Sequence, residues 1–467
     1  MHDGALLAAI DLGSNSFRLE IGRHESGQIV RVEYLKESVR LGAGLDESSR
    51  LSGAAMRRGW DCLARFAERV RGFEPRCVRA VATQTVREAR NRAEFVAGGQ
   101  ARLGFQIEVI SGHEEARLIY SGVSRVLPAA DERRLVFDVG GRSTEVIVGR
   151  GAEPTQVESY RVGSVELSLR YFADGRLTTR AFEAARIAAE AVLEGAATLL
   201  AGGQGHSVHG ASGTVGAVSD ILRAEGMGDG VITPALLDSL RDRLLQAGHV
   251  DRVVLAGLKD DRRPVIGGGL AILQALCNVL GLQRIEPARG ALRHGVLYEL
   301  LQRDAPAPDV RALTVARLQR KFGVDIAHAR RVAEMAAWLF SALHPRPDTE
   351  ATSAAAQLRW AGELHEIGMA ISHEDFHRHG AYIAEHADAA GFAEHQQQRL
   401  ATLLPARPCA GRRDPTPGRL QLQRSEAGYR FFVDAAWAQA HPQSMHLLRE
   451  EQKAWARITW PFEVAVS

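Results

Sequence analysis

AAIDLGSNSFRLEIG (Ala8–Gly22) and LVFDVGGRSTEVIVG (Leu135–Gly149) share one design. Each runs from an apolar stretch to an Asp, through a glycine-bearing polar turn, and into a second stretch of alternating apolar residues. The alternation is Phe17, Leu19 and Ile21 in the first copy and Val146 and Val148 in the second. A strand turns alternate side chains to opposite faces, so each copy predicts a strand, a tight turn and an antiparallel strand. Two copies this far apart point to a duplicated domain rather than a short-period solenoid.

The sequence around them fits mixed α/β domains. Ala80–Ala82 and Ile107–Ile110 have strand composition, whereas Ala54–Val70 and Phe182–Leu200 have helical composition. One helix is fully punctuated, with Thr233 as N-cap, Pro234 at the first helical position and Gly248 past the end. Alternating strands and helices favour an α/β class over an all-helical one. A chain of 467 residues exceeds one hydrophobic core and suggests about three domains. A proline-broken linker, Asp304–Asp309, precedes predominantly helical sequence, and a second break rich in Pro, Arg and Gly spans Pro405–Gly418. The expected domains are residues 1–127, 128–308 and 309–467, the last ending in short strand-like pieces and a helix around His446–Ala456.

Composition narrows the class. Apolar residues make up 45% and charged residues 24%, as in globular proteins generally. The formal charge is only +2, so a polyanion site must be a local concentration of basic residues. Cys62, Cys77, Cys277 and Cys409 are scattered without a C-x-x-C pair, which disfavours a disulfide framework or thiolate zinc site and favours a reducing compartment. Ala5–Ile10 lacks the basic start and cleavage-like site of a signal peptide, and no uninterrupted apolar run reaches membrane-spanning length. A cytoplasmic protein without a membrane partner is the expectation.

The turns themselves carry the chemistry. In the first, Gly13 lets the backbone approach an anion, Ser14, Asn15 and Ser16 offer donors, and Asp11 at the strand end can hold magnesium. By itself such a turn is also a common hairpin. The second supplies Asp138, Gly140, Gly141, Ser143 and Thr144, with Glu145 near enough to reach the same metal. A third glycine-hydroxyl turn, with Ser212, Gly213 and Thr214, opens a predicted helix whose N-terminal amides can donate to an anion. Three such turns together predict a nucleotide or polyphosphate cleft.

DLGSNSFRL, SGHEEARL, DVGGRSTEVIVG, GASGT and GALRHGVLYEL, in this order, resemble the exopolyphosphatase and guanosine pentaphosphate phosphatase family over about residues 6–404. The resemblance implies two actin-like (ribonuclease H-like) domains of the superfold shared by actin, hexokinase and heat-shock ATPases, followed by an α-helical HD-like domain. It implies hydrolysis of a terminal phosphoanhydride with Mg2+ or Mn2+, on inorganic polyphosphate or pppGpp, by a homodimer. It makes Glu115 the general base that activates water and places Arg87 in the cleft as a grip on phosphate. Asp138, Glu145 and Asp11 would hold the metal. Spacing alone explains Glu114, which lies three residues after Ser111 as in a capping box, and allows Glu115 as a first-turn acid favoured by the helix dipole. Arg18 is a further cation beside the first turn.

The chain departs from the family in two places. Arg142 stands where the second turn usually has a third glycine, and could add a cation or crowd the site. After Ala401–Leu404 a helical section of long relatives is missing, which bears on grip of long polymer and on dimerisation. In the helical part, His328, His365, Glu366, His373, His377 and His379 invite a metal reading, but HD-type enzymes need Asp where this chain has Glu366. Satisfied or exposed histidines are the expectation there. Arg311, Arg317, Arg320, Lys321, Arg330 and Arg331 concentrate charge that could hold a trailing polyanion. No nucleic acid partner is expected, since no reader motif is present. A kinase or ATPase would need a purine pocket and acceptor site, neither of which the sequence shows. A non-catalytic (p)ppGpp or polyphosphate sensor remains open through Arg142 and the shortened tail.

Overall fold

The two quoted stretches form equivalent hairpins in the computed structural model. β1 (Leu6–Leu12) pairs antiparallel with β2 (Phe17–Glu25), and Asp11 lies opposite Arg18. β2 continues antiparallel to β3 (Gln28–Glu37), while β1 is parallel to β4 (Val78–Ala82) and β4 to β5 (Ile107–Val109). The sheet order is β3-β2-β1-β4-β5. The second copy repeats it. β6 (Arg133–Val139), β7 (Thr144–Arg150) and β8 (Glu153–Tyr160) are antiparallel neighbours, and β9 (Ser207–Ala211) and β10 (Glu286–Pro287) add in parallel to give β10-β9-β6-β7-β8. Identical order and strand direction in both sheets make this a duplicated actin-like α/β fold.

The structure describes residues 2–25, 28–127, 132–200, 207–302, 310–345, 349–387, 389, 391–392, 394–404, 420–425, 428–455 and 462–466. They divide into two units, Met1–Ala307 and Pro308–Ser467. Both proline-rich breaks read from the sequence, and Cys409, lie outside the described residues.

β1 is buried on both faces. Ala8, Ile10 and Leu12 join a core with α1 (Gly53–Arg69), α2 (Gln84–Glu88) and α3 (Arg92–Leu103), while Leu7 and Ala9 join a second core on the opposite face. That second core contains α4 (Gly112–Ser124) and, from the second sheet, Val136 and Ile147. The far face of the second sheet packs on a third core. It draws on α5 (Ser164–Tyr171), α6 (Thr179–Leu193), α7 (Gly213–Ala224), α8 (Pro234–Ala247) and α9 (Ile266–Leu280). Arg263–Leu280 is long and apolar enough to cross a membrane, yet 72% of it is buried inside this unit, so it serves as a core helix.

The chain does not leave this unit directly from the second sheet. α10 (Leu292–Gln302) returns to α4 and β1, and Leu292, Val296, Leu297 and Leu300 fill the core shared by both sheets. A division at residue 127 therefore omits this return. Glycines permit the crossing. A Cβ at Gly295 would lie 1.9 Å from the Leu118 carbonyl oxygen, and one at Gly122 would lie 2.2 Å from that of Ala291. The two backbones can approach this closely only without side chains at those points.

The second unit is mainly helical. It contains α11 (Val310–Lys321), α12 (Ile326–Leu343), α13 (Thr349–Leu364), α14 (Phe376–His386), α15 (Glu394–Leu403), α16 (Ala435–Ala440) and α17 (Pro442–Trp455). A small sheet of β11 (Leu420–Ser425), β12 (Gly428–Val433) and β13 (Phe462–Val466) packs with α16 and α17.

Candidate active site

The β1–β2 and β6–β7 turns face each other across a cleft of about 450 Å³. A Cβ on Gly141 would lie 2.8 Å from the Ser14 Cβ, so glycine is what lets the turns approach. The first turn is braced from outside. The Ser14 carbonyl accepts from the Gly42 amide at 2.8 Å, and Thr85 donates to Ser14 Oγ at 2.7 Å. Asn15 Nδ2 and Ser16 Oγ are buried and have no hydrogen-bond partner, although both residues line the cleft. Buried donors are rarely left unpaired, so these two call for acceptor oxygens such as those of phosphate.

Gly13, Ser14, Asn15, Ser16, Gly140, Gly141, Ser143, Ser212 and Gly213 all line the cleft. Two expected phosphate ligands do not. Thr144 is fully buried and donates to the Val162 carbonyl at 2.7 Å, and Thr214 donates to the Val139 carbonyl at 3.0 Å. Both hydroxyls fasten the turns rather than face the cleft. Ser212 holds a φ of 110°, costly for a residue with a Cβ, and its Oγ accepts from the amides of Thr214 and Val215.

Four carboxylates gather at the base. Asp11, Glu115 and Asp138 line the cleft, and Glu145, only 1% exposed, lies opposite Asp138 in the β6–β7 ladder. Directly paired residues of an antiparallel ladder share a face, which brings these two acids together. Burial, then the charge of Asp138, pushes Glu145 up to about 7, despite hydroxyls from Ser143 and Ser159. Burial likewise lifts Asp138 to about 6, with Asp11 adding to the rise and Arg18 opposing it. Glu115 is raised well above the usual carboxylate range by burial and by Glu145, against the pull of Arg87. This is unsatisfied negative charge, fitted to a hard cation with oxygen ligands.

Arg87 does not line the cleft. Its guanidinium donates to the Ile110 carbonyl at 2.6 Å and to Gln84, and lies 3.5 Å from Glu115 Oε2. It sits behind the proposed base, which its position in the sequence could not distinguish from a place at the phosphate. Glu114 also differs from a simple capping residue. Ser111 does accept from the Glu114 amide, but the fully buried Glu114 carboxylate takes both donors of Arg117 at 2.8 Å, beside Arg79. Arg142 does not line the cleft. Its backbone lies outside the left-handed region, and its side chain turns to Glu88 at 3.0 Å.

The cations of the cleft were largely missed. Arg18 donates to Asp11 at 3.1 Å, while Arg293 stands 3.6 Å from Asp11 and donates to Glu20 at 3.1 Å. Arg31, Lys36, Lys259, Arg262 and Arg289 also line the cleft. Arg262 lies over the start of α7, where a Cβ on Gly213 would be 2.0 Å from its Nη2. The signal was present in GALRHGVLYEL and the charged run Lys259–Arg263, but only folding brings them to the turns.

Residues 20–304 match the Ppx/GppA phosphatase family, and residues 310–426 match Ppx/GppA phosphatase domain III. The chain belongs to the Ppx/GppA phosphatase family. A crystal structure of an exopolyphosphatase from Cytophaga hutchinsonii aligns with a TM-score of 0.58 at 23% identity, over 64% of this chain and 98% of that one. The Aquifex aeolicus PPX-GPPA enzyme aligns with a TM-score of 0.52 at 24% identity, over 63% and 99%. At such identities these likenesses bear on the fold, and the family membership makes the chain a phosphatase, hence a hydrolase.

Proposed function

We propose that the protein is an exopolyphosphatase that hydrolyses the terminal phosphate of inorganic polyphosphate with Glu115 as general base. The observation that carries this reading is the buried group of Glu115, Asp138 and Glu145 at the foot of a cleft rimmed by cations. Asn15 and Ser16 hold oxygens of the terminal phosphate through their unpaired donors. Arg18, Arg262 and Arg293 neutralise the polyanion. Glu115 accepts a proton from the attacking water as the oxygen–phosphorus bond forms, and the shortened chain departs with the bridging oxygen. Arg87 orients Glu115 from behind.

Asp138 and Glu145, with Asp11 beside them, would hold Mg2+ or Mn2+, and their crowded negative charge fits such a group. When bound, the ion supplies positive charge to the phosphate oxygens. Polyphosphate is favoured over pppGpp because Tyr34, an aromatic ring lining the cleft, already has the guanidiniums of Arg31 and Arg293 over it at 5.4 and 5.2 Å. A base would have to displace them to stack. The reading includes a homodimer, on the strength of the resemblance, and a cytoplasmic location, on the strength of the scattered cysteines.

Phosphate release from polyphosphate, pppGpp and ATP with magnesium, measured for wild type and Glu115→Gln, tests the proposal. Polyphosphate should rank first, and its hydrolysis should fall by about 10²–10⁴-fold in the variant. Binding without release from any substrate would instead make the protein a sensor.

A further inference from the structure

Outside the cleft, the helical unit buries a second group of ligating side chains. His328, His365 and Glu366 are about 5% exposed, and each offers an atom within 4.8 Å of the others. We infer that these three residues form a binding site for a divalent first-row transition ion, such as zinc, with a further coordination position open to water.

The geometry excludes an ordinary hydrogen-bonded cluster. His328 Nε2 and His365 Nε2 stand 3.8 and 3.9 Å from Glu366 Oε1, too far for hydrogen bonds. His328 Nδ1 is buried with no hydrogen-bond partner. The expectation of satisfied or exposed histidines fails at His328, because the sequence could not show that residues 328 and 365 meet. Donors around a tetrahedral zinc lie about 3.4 Å apart, given bonds of about 2.1 Å. The two His–Glu separations exceed that by about half an ångström, and no separation in the group exceeds 4.8 Å.

The surroundings orient the ligands. His365 Nδ1 lies 2.7 Å from the Gly362 carbonyl. A carbonyl only accepts, so Nδ1 carries the proton and Nε2 keeps its lone pair, the arrangement in which a metal-bound imidazole is held. His328 sits in the first turn of α12, where the Asp325 carboxylate accepts from its amide at 3.0 Å. His365 and Glu366 follow the last residue of α13, where the helix dipole favours a cation. A Cβ on Gly362 would lie 2.7 Å from the Ala333 Cα, so the two helices are in close backbone contact beside the site. Two imidazoles and one carboxylate select first-row transition ions over magnesium, unlike the all-oxygen cleft.

The test uses the full-length protein, stripped with a chelator and titrated with cobalt(II) in excess magnesium. One cobalt per chain should remain, with visible absorption of a low-coordinate nitrogen-ligated ion and a rise in melting temperature. Glu366→Gln, nearly isosteric, and His328→Gln and His365→Gln should each weaken cobalt binding at least tenfold, while Glu145→Gln leaves it unchanged. Loss of no binding in any of the three, or no retained cobalt in wild type, overturns the site. Should the His variants unfold, pulsed electron paramagnetic resonance of the wild-type copper(II) form decides, since two imidazole nitrogens must couple to the ion and fewer than two refute it. Failure here leaves the cleft chemistry untouched, because the readout is not phosphate release.

Discussion

The two halves of the phosphatase core place opposite charges at one equivalent position. In the first hairpin the strand-end Asp11 faces Arg18 across the ladder, and in the second Asp138 faces Glu145. The first pair is neutralised at 3.1 Å, whereas the second piles up negative charge that burial pushes towards neutrality. On the function proposed above, a single backbone design yields an anion-holding side, with unpaired donors at Asn15 and Ser16, and a cation-holding side. The two hairpins share their geometry, and the one difference in sign, Arg18 against Glu145, sets them apart.

The largest expected effect tests what stands between the halves. Glu115→Gln should cut kcat by about 10²–10⁴-fold with little change in KM. A loss confined to KM would make Glu115 a binding residue. In wild type, activity should fall as pH drops through the raised pKa of Glu115, because only the carboxylate accepts a proton.

Next comes the cation-holding side. Glu145→Gln should lower activity by about 10²-fold and raise the magnesium requirement, as loss of a ligand or its support does. It should also stabilise the magnesium-free protein at pH 8. Glu145 titrates near 7 when folded, above its ordinary value of 4.5. A raised carboxylate contributes stability below its unfolded pKa, and this is lost as pH rises through about 7. At pH 8 the wild type therefore bears a cost on the order of 3 kcal/mol that glutamine removes. Melting curves at pH 5 and pH 8 check the sign, and equal melting temperatures at pH 8 would refute it.

On the anion-holding side, Arg18→Ala should raise KM for polyphosphate about tenfold, the loss of one charge-assisted contact. The magnesium requirement should move far less than it does in Glu145→Gln. A variant that changes magnesium affinity alone would reverse the assignment of the two halves.

Much of the fold was legible because the hairpin pattern is local. Strand alternation, the Thr233 cap and the Gly248 stop all depend on near neighbours, and they appear as read. The meeting of Asp11 and Asp138 was legible only through the recurrent turns taken together, and Glu115 joined them only through the resemblance. What escaped depends on distant chain. Arg293 reaches Asp11 because α10 returns to the first sheet, and Thr144 and Thr214 turn inward to carbonyls that no spacing reveals.

The smallest expected effect concerns Arg142. Paired to Glu88 away from the turn, it should tolerate Arg142→Gly with less than about a threefold change in activity, in keeping with the low worth of part-exposed ion pairs. A tenfold change in either direction would return it to the catalytic cleft.

The division of labour is tested most directly by steady-state phosphate release as a function of both magnesium and polyphosphate, for Glu145→Gln and Ser16→Ala side by side. The account expects Glu145→Gln to move the magnesium half-saturation and Ser16→Ala to move the polyphosphate KM, each leaving the other parameter near wild type. Equal shifts of both parameters in both variants would contradict it.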